Sequence, residues 1–509
     1  MLFVEFRFFI FFAFVFSITW SLRSNTARKL FLLVCSHLFY ACFFVGEPVE
    51  FFSHITAHQW KKLPDGWWFP FVLIGSTCMD YIVGLGLENA RDERKRRAWL
   101  LVSLAINLGV LCYFKYFNFF LASASAFLGW IGLHGSLHTL RIILPYGVSF
   151  YTFQSMSYTI EVYRRHRQAE RSFLDLAFFI AFFPQLVAGP IVRAMTFLPQ
   201  TKSTRVWSRD VDVRGALVQF MTGFVKKACI AESVAPFVDQ YFKTPENFTA
   251  LSAWIGVLFY AVQIYCDFSG YTDMAIATAR LLGYELTVNF NFPYFARNVT
   301  DFWRRWHISL STWLRDYLYI SLGGNRGSLL FTYRNLLLTM LLGGLWHGAA
   351  WVFVIWGGLH GLALVVHREW LRRFGAIHRK PKVVADEHVR DVEIANPALG
   401  LKGILASALT FYFVCVCWIF FRAGDLHMAK RICKQFILFR HTGPQSLDTR
   451  LLWLFAALAF VHWLNYRRIF TKLWRRAPDF VFAAGYGAAV AAILLFIPQK
   501  YTPFIYFQF

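Results

Sequence analysis

The sequence has little of what marks a soluble enzyme. Its nine cysteines form no CxxC pair and mostly sit inside apolar runs, which argues against both a disulfide framework and a zinc site; no metal is expected. No G-x-S-x-G elbow is present to expose a serine nucleophile. The glycine-rich stretch Gly323-Gly324-Asn325-Arg326-Gly327 lacks the Lys-Ser/Thr of a phosphate-binding loop and reads as a tight turn. Charge is scarce: 16% of residues are Asp, Glu, Lys or Arg, and the 29 acids are outnumbered by 52 bases, for a formal net charge of +23. That balance would suit nucleic acid. The bases, however, gather in short segments between apolar runs, where the positive-inside rule places cytoplasmic loops, so no nucleic-acid partner is expected. A cleavable leader is not expected either, because the apolar run 8–22 has no small-residue cleavage site behind it and is followed by Arg23, Arg28 and Lys29. No internal repeat and no separate soluble domain is discernible.

What is abundant is apolar and aromatic surface. The chain is 57% hydrophobic and 19% aromatic, with 58 Phe, far from the average of soluble domains. An all-α polytopic membrane protein follows. Uncharged runs long enough to cross, or nearly so, are 8–22, 30–46, 99–114, 116–133, 142–160, 176–192, 247–266, 403–421, 451–466 and 480–499; 67–87, interrupted only by Asp80, adds another. Counting a longer run described below, about twelve crossings result. The basic loops 91–97 and 467–476 are expected in the cytoplasm, which sends both termini to the outer face. The polar segment 368–396 is expected there too. The chain reads as a single domain over 1–509, with a core at about 140–370 and terminal spans and tail at 400–509.

The stretch from Asp301 to Trp356 organises the rest. Thirty-three residues between Arg334 and Arg368 contain no Lys, Arg, Asp or Glu, enough for two short crossings or for one crossing and a re-entrant piece. Inside that run sits His347, beside Trp346 and the small pair Gly348 and Ala349. A titratable group at membrane depth is a functional candidate by default. Upstream, a helical wheel from Phe302 puts Phe302, Trp303, Trp306, Leu310, Trp313, Leu314 and Tyr317 on one arc and Arg304, Arg305, Arg315 and Asp316 opposite, so an amphipathic interfacial helix is expected.

Two other segments depart from simple spans. The sequence from Phe182 to Pro190 puts two prolines and a glycine inside an apolar run, and such breaks are tolerated only where the freed backbone is buried in protein or lines a cavity. The run Gln263-Ile-Tyr-Cys-Asp-Phe-Ser-Gly-Tyr-Thr-Asp273 brings two Asp, a Ser and two Tyr to what reads as the end of a span. Both argue for an internal polar cavity, with Asp267, Ser269 and Asp273 lining it or capping a helix.

FWRRWHISLSTWLRDYLYISLGGNRG, LLGGLWHGAAW, QIYCDFSGYTDMAI, FFPQLVAGPI and the terminal FIYFQF together resemble the bacterial branch of the membrane-bound O-acyltransferases, the branch that O-acetylates alginate-like exopolysaccharides. The resemblance covers nearly the whole chain with the motifs in family order. It implies a tunnel where a cytoplasmic acyl donor, acetyl-coenzyme A, meets an acceptor delivered from outside the bacterial inner membrane. It also implies no permanently bound cofactor and a periplasmic SGNH-type transferase as partner for a polysaccharide acceptor. The family's invariant histidine falls on His347 and its second, usually polar position on His307.

The chemistry suits these assignments. An alcohol attacking a thioester must lose its proton, and a neutral imidazole fits that role, so His347 is the expected general base. His307, at the edge of the apolar arc, faces either the tunnel or a packed interface. Arg304, Arg305 and Arg315 are candidates for the phosphates of coenzyme A, or else a lipid-headgroup face. Trp306 and Trp346, with Asp267 and Ser269, are expected around the substrate. In related envelope acylation systems a tyrosine near the chain end carries the acyl group before it passes outward, which points to Tyr506; the alternative is an aromatic interfacial anchor. A reading from another class, an acyl-group or small-solute transporter, fits the broken helices but not the lack of paired halves.

Overall fold

The computed structural model describes residues 3–43, 65–133, 139–375 and 400–496. Among them the chain is helical, with a lone β-bridge between Phe248 and Gln445. Among the described residues six helices are long and apolar enough to cross a membrane: Phe69–Asn89, Glu93–Trp130, Ala250–Leu281, Leu329–His347, Trp351–Phe374 and Leu401–Arg422. Shorter apolar helices run over Phe6–Ser21, Leu451–Tyr466 and Asp479–Leu494. This is an all-α, multi-pass membrane protein.

The elements differ from the sequence expectation in three places. The runs 99–114 and 116–133 form one helix, because Lys115, the charge that separates them, is taken up in a π-helical turn at Cys112–Tyr116. The span expected over 247–266 continues to Leu281, so Asp267, Ser269 and Asp273 lie within a helix and cap nothing. That continuation is possible because Lys227 pairs with Asp267, and Lys226 with Asp273 at 2.8 Å. The single amphipathic helix expected from Phe302 onward is divided into Val299–Arg305, Ile308–Trp313 and a π-helical turn Leu314–Tyr319. The long uncharged run makes two helices, broken at Gly348-Ala349-Ala350. Glycines 323 and 324, at φ 102° and 56°, make the expected turn.

The chain divides into two compact units, and the boundary falls inside the Ala250–Leu281 helix. The first comprises Met1–Phe220 with Met274–Val288. Its proline-broken stretch appears as Phe173–Ala181 followed by the single turn Phe183–Leu186. The freed backbone finds partners: Ser36 Oγ accepts from Phe183 N at 3.1 Å, and Gln185 Nε2 donates to Phe179 O. Asp80 is fully buried in this unit, accepting hydrogen bonds from Ser103 Oγ at 2.9 Å and Asn107 Nδ2 at 3.1 Å. Arg96 ties helix ends together by donating to the carbonyls of Leu87, Val162 and Tyr163.

The second unit comprises Met221–Asp273 with Asn289–Phe509. Its centre is the pair Leu329–His347 and Trp351–Phe374, which meet backbone to backbone. A Cβ on Gly344 would come 2.2 Å from the Phe353 carbonyl oxygen, and one on Gly357 would come 2.2 Å from that of Met340. Only glycine permits such an approach, the small-residue packing characteristic of helices in lipid. The effect is to fix the last turn of the first helix, where His347 sits.

Candidate active site

His347 is the last residue of its helix and is 3% exposed. Aromatic rings wall it in: Trp346 and Trp356 stand edge-on, each with its centroid 5.0 Å away, and Phe421 from the Leu401–Arg422 helix lies at 5.3 Å. The next imidazole is that of His307, with ring centroids 6.3 Å apart. The structure therefore brings together the two histidines singled out from the sequence.

His307 is fully buried, in the break between the two short helices. Its φ of 43° is a left-handed backbone conformation that a non-glycine residue adopts only when its surroundings impose it. Asn289 imposes it. Its carbonyl oxygen accepts from the Ile308 N–H at 2.9 Å, while its side-chain Oδ1 accepts from the Ser309 N–H at 3.2 Å and the Ser309 hydroxyl at 2.9 Å. The same Oδ1 lies 3.1 Å from His307 Nδ1. Since that oxygen accepts the Ser309 N–H, Nδ1 must carry the ring proton and Nε2 the lone pair. Phe268 packs edge-on at 4.7 Å, and burial lowers the pKa of the imidazole, which is neutral at pH 7.

The remaining candidates divide. Trp346 borders both imidazoles, with its centroid 6.0 Å from His307. Trp306 is buried one layer back, among Phe290, Phe302, Tyr294 and Trp418. Arg304 and Arg315 are exposed, the latter paired with Asp316 at 2.5 Å. Arg305 is not on the polar face where the helical wheel put it. The helix break turns it inward, where it is 2% exposed, pairs with Asp301 at 2.9 Å and donates to the Asn291 carbonyl. It is committed to holding the fold and is not available to an incoming phosphate. Asp267 is likewise committed, since buried Lys227 lies between it and Glu232, the latter at 3.1 Å. Ser269 is buried on the same helix. Tyr506 lies outside the described residues.

Asn289, Trp356, Phe421 and His360 belong to this region and were not singled out from the sequence. Asn289 sits in an irregular stretch with no motif of its own. His360 had a usable signal, as another titratable residue in the same uncharged run.

Residues 68–383, which carry both histidines, match the membrane-bound O-acyltransferase family. A probable alginate O-acetylase of Pseudomonas aeruginosa is 41% identical over 416 residues, covering 81% of this chain and 70% of the relative. That of Pseudomonas putida is 37% identical over 517 residues, 96% of each chain. A peptidoglycan O-acetyltransferase of Helicobacter pylori is 37% identical over 431 residues, 80% of this chain and 73% of its own.

Proposed function

The chain belongs to the membrane-bound O-acyltransferase family and is an O-acyltransferase, and from that premise we propose that it takes acetyl from cytoplasmic acetyl-coenzyme A and passes it across the bacterial inner membrane for O-acetylation of an alginate-like exopolysaccharide or another envelope polysaccharide. The observation that carries this reading is the pair of buried imidazoles, 6.3 Å apart, held where a helix ends and another breaks. His347 is the general base. It takes the proton of the attacking hydroxyl as the oxygen bonds to the thioester carbonyl carbon, and returns it to the sulfur as the carbon–sulfur bond breaks, so that free thiol leaves. His307, its Nδ1 proton fixed by Asn289, presents the Nε2 lone pair as an acceptor that orients the hydroxyl. Arg304 and Arg315, exposed on the same stretch, receive the coenzyme A phosphates.

Tyr506 is the first acceptor in this scheme. An aryl ester is more reactive than an alkyl ester, so onward transfer to a periplasmic SGNH-type partner, and from it to the polysaccharide, is not uphill. Both termini then face the periplasm. The decisive experiment incubates purified protein with acetyl-coenzyme A and measures thiol release. His347→Ala should lower the rate by about 10²–10⁴-fold, the usual contribution of a general base. Undiminished release would remove the role given to His347. Tyr506→Phe should abolish polymer acetylation in cells while leaving the protein folded, and full acetylation would remove the tyrosine relay.

A further inference from the structure

The helix Trp351–Phe374 carries a third buried imidazole, His360, which is fully enclosed. Its Nδ1 accepts a hydrogen bond from Trp303 Nε1 at 3.3 Å. An indole nitrogen can only donate, so Nδ1 holds the lone pair and the ring proton of His360 is on Nε2. Among the described residues that Nε2 meets no acceptor. One turn back on the same face is Trp356, 1% exposed, whose Nε1 also meets no acceptor among the described residues. The two rings pack at 4.8 Å, and Trp356 is the ring that stands edge-on to His347 at 5.0 Å.

Two buried N–H groups without acceptors, on adjacent turns, one of them on the ring that borders the proposed base, are costly in a protein interior unless something else supplies the acceptor. Both are donors. A cation is therefore excluded as the occupant, and the fitting group is an uncharged or negatively charged oxygen. The reaction brings one such oxygen: the carbonyl of the acyl group, which takes on negative charge as the nucleophile adds. Resting on the acyl-transfer reading above, we propose that the Nε2–H of His360 and the Nε1–H of Trp356 are the oxyanion donors of this enzyme. As the hydroxyl oxygen bonds to the carbonyl carbon and its proton goes to His347, the carbonyl π electrons move onto oxygen, and these two N–H groups receive them. When the pair re-forms the double bond, the carbon–sulfur bond breaks and the thiolate takes the proton back from His347. Donors placed for the charge of the intermediate accelerate the chemical step more than they tighten ground-state binding.

The test uses the full-length protein in detergent, with acetyl-coenzyme A as substrate and free coenzyme A, which lacks the carbonyl, as binding probe. His360→Met removes the donor at similar volume, whereas His360→Gln keeps an N–H near the Nε2 position. Expected is a loss of about 10²–10³-fold in kcat for His360→Met and for Trp356→Phe, the range seen when one oxyanion donor is removed. KM and coenzyme A affinity should stay within a few-fold, and His360→Gln should recover most of the rate. Near-native kcat in both donor-deleted variants would overturn the assignment, as would His360→Gln being as slow as His360→Met, which is the signature of a packing role. If His360→Met does not fold, Trp356→Phe alone decides. Wild-type protein that releases no thiol would sink the acyl-transfer reading beneath it, an outcome distinct from active wild type with equally active variants.

Discussion

Replacing Asn289 by alanine removes one oxygen that three donors share: His307 Nδ1 at 3.1 Å, the Ser309 N–H at 3.2 Å and the Ser309 hydroxyl at 2.9 Å. Both donor residues, His307 and Ser309, are buried, so water does not readily replace the lost acceptor. A buried donor left unpaired costs about 1–3 kcal/mol. The hydroxyl can rotate to another acceptor but the backbone N–H and the imidazole cannot, so a loss of ~2–6 kcal/mol is expected. The backbone hydrogen bond from Ile308 to the Asn289 carbonyl survives the substitution, so the break should persist with a loosened His307 ring. Activity should therefore fall with stability. A second-layer partner that orients a catalytic imidazole is worth about 10–100-fold by analogy with metal-site histidines. Equilibrium unfolding in mixed micelles and thiol release from acetyl-coenzyme A read the two effects separately. Asn289→Ala with unchanged stability and unchanged rate would refute the reasoning, because the three hydrogen bonds would then contribute nothing to either.

Lys227→Met leaves the buried carboxylates of Asp267 and Glu232 without their shared cation, and removing one partner of a buried ion pair costs about 3–5 kcal/mol; a stable variant in the same unfolding assay would contradict the network. Arg304→Ala combined with Arg315→Ala should raise KM for acetyl-coenzyme A with kcat little changed, and a purely kcat effect would rule out phosphate contact. In the first unit, burial alone would raise the Asp175 carboxyl, but hydrogen bonds from Lys29 and Lys202 outweigh it and hold the group below the usual carboxylate range. A depressed carboxyl pKa contributes stability that is complete above its unfolded value, about 3.9, and is lost as pH falls through the folded value. Asp175→Asn should accordingly flatten stability against pH below about 4, and an unchanged acid limb would count against it.

Much of this architecture could be read from residue order, for definite physical reasons. A 33-residue stretch without formal charge can only be buried or in lipid, so His347 stood out, while the run's division into two helices at Gly348-Ala349-Ala350 was only one of the alternatives its length allowed. The prolines at 184 and 190 announced a broken segment, and one is present. Periodicity misled where tertiary contacts decide. A wheel assumes one continuous helix, and nothing within 301–317 reveals that Asn289, in a separate stretch of chain, holds His307 at positive φ. For the same reason Arg305 was placed with the exposed arginines although it is buried with Asp301. The pairing of Lys226 and Lys227 with Asp273 and Asp267 was equally hidden, since hydropathy counts each charge alone and shortens a helix that neutralised pairs allow to continue.

The contact of main chains at Gly344 and Gly357 has a consequence for what the enzyme can come to accept. Two helices that already touch through their peptide groups have no slack to yield, so a bulkier acyl chain cannot gain room by parting them. Trp418 and Phe421, on the helix across from His347, meet the site through side-chain rings, which substitution can trim without moving any backbone. Variation in donor size should therefore be written at positions 418 and 421, while 344 and 357 stay glycine whatever the cargo.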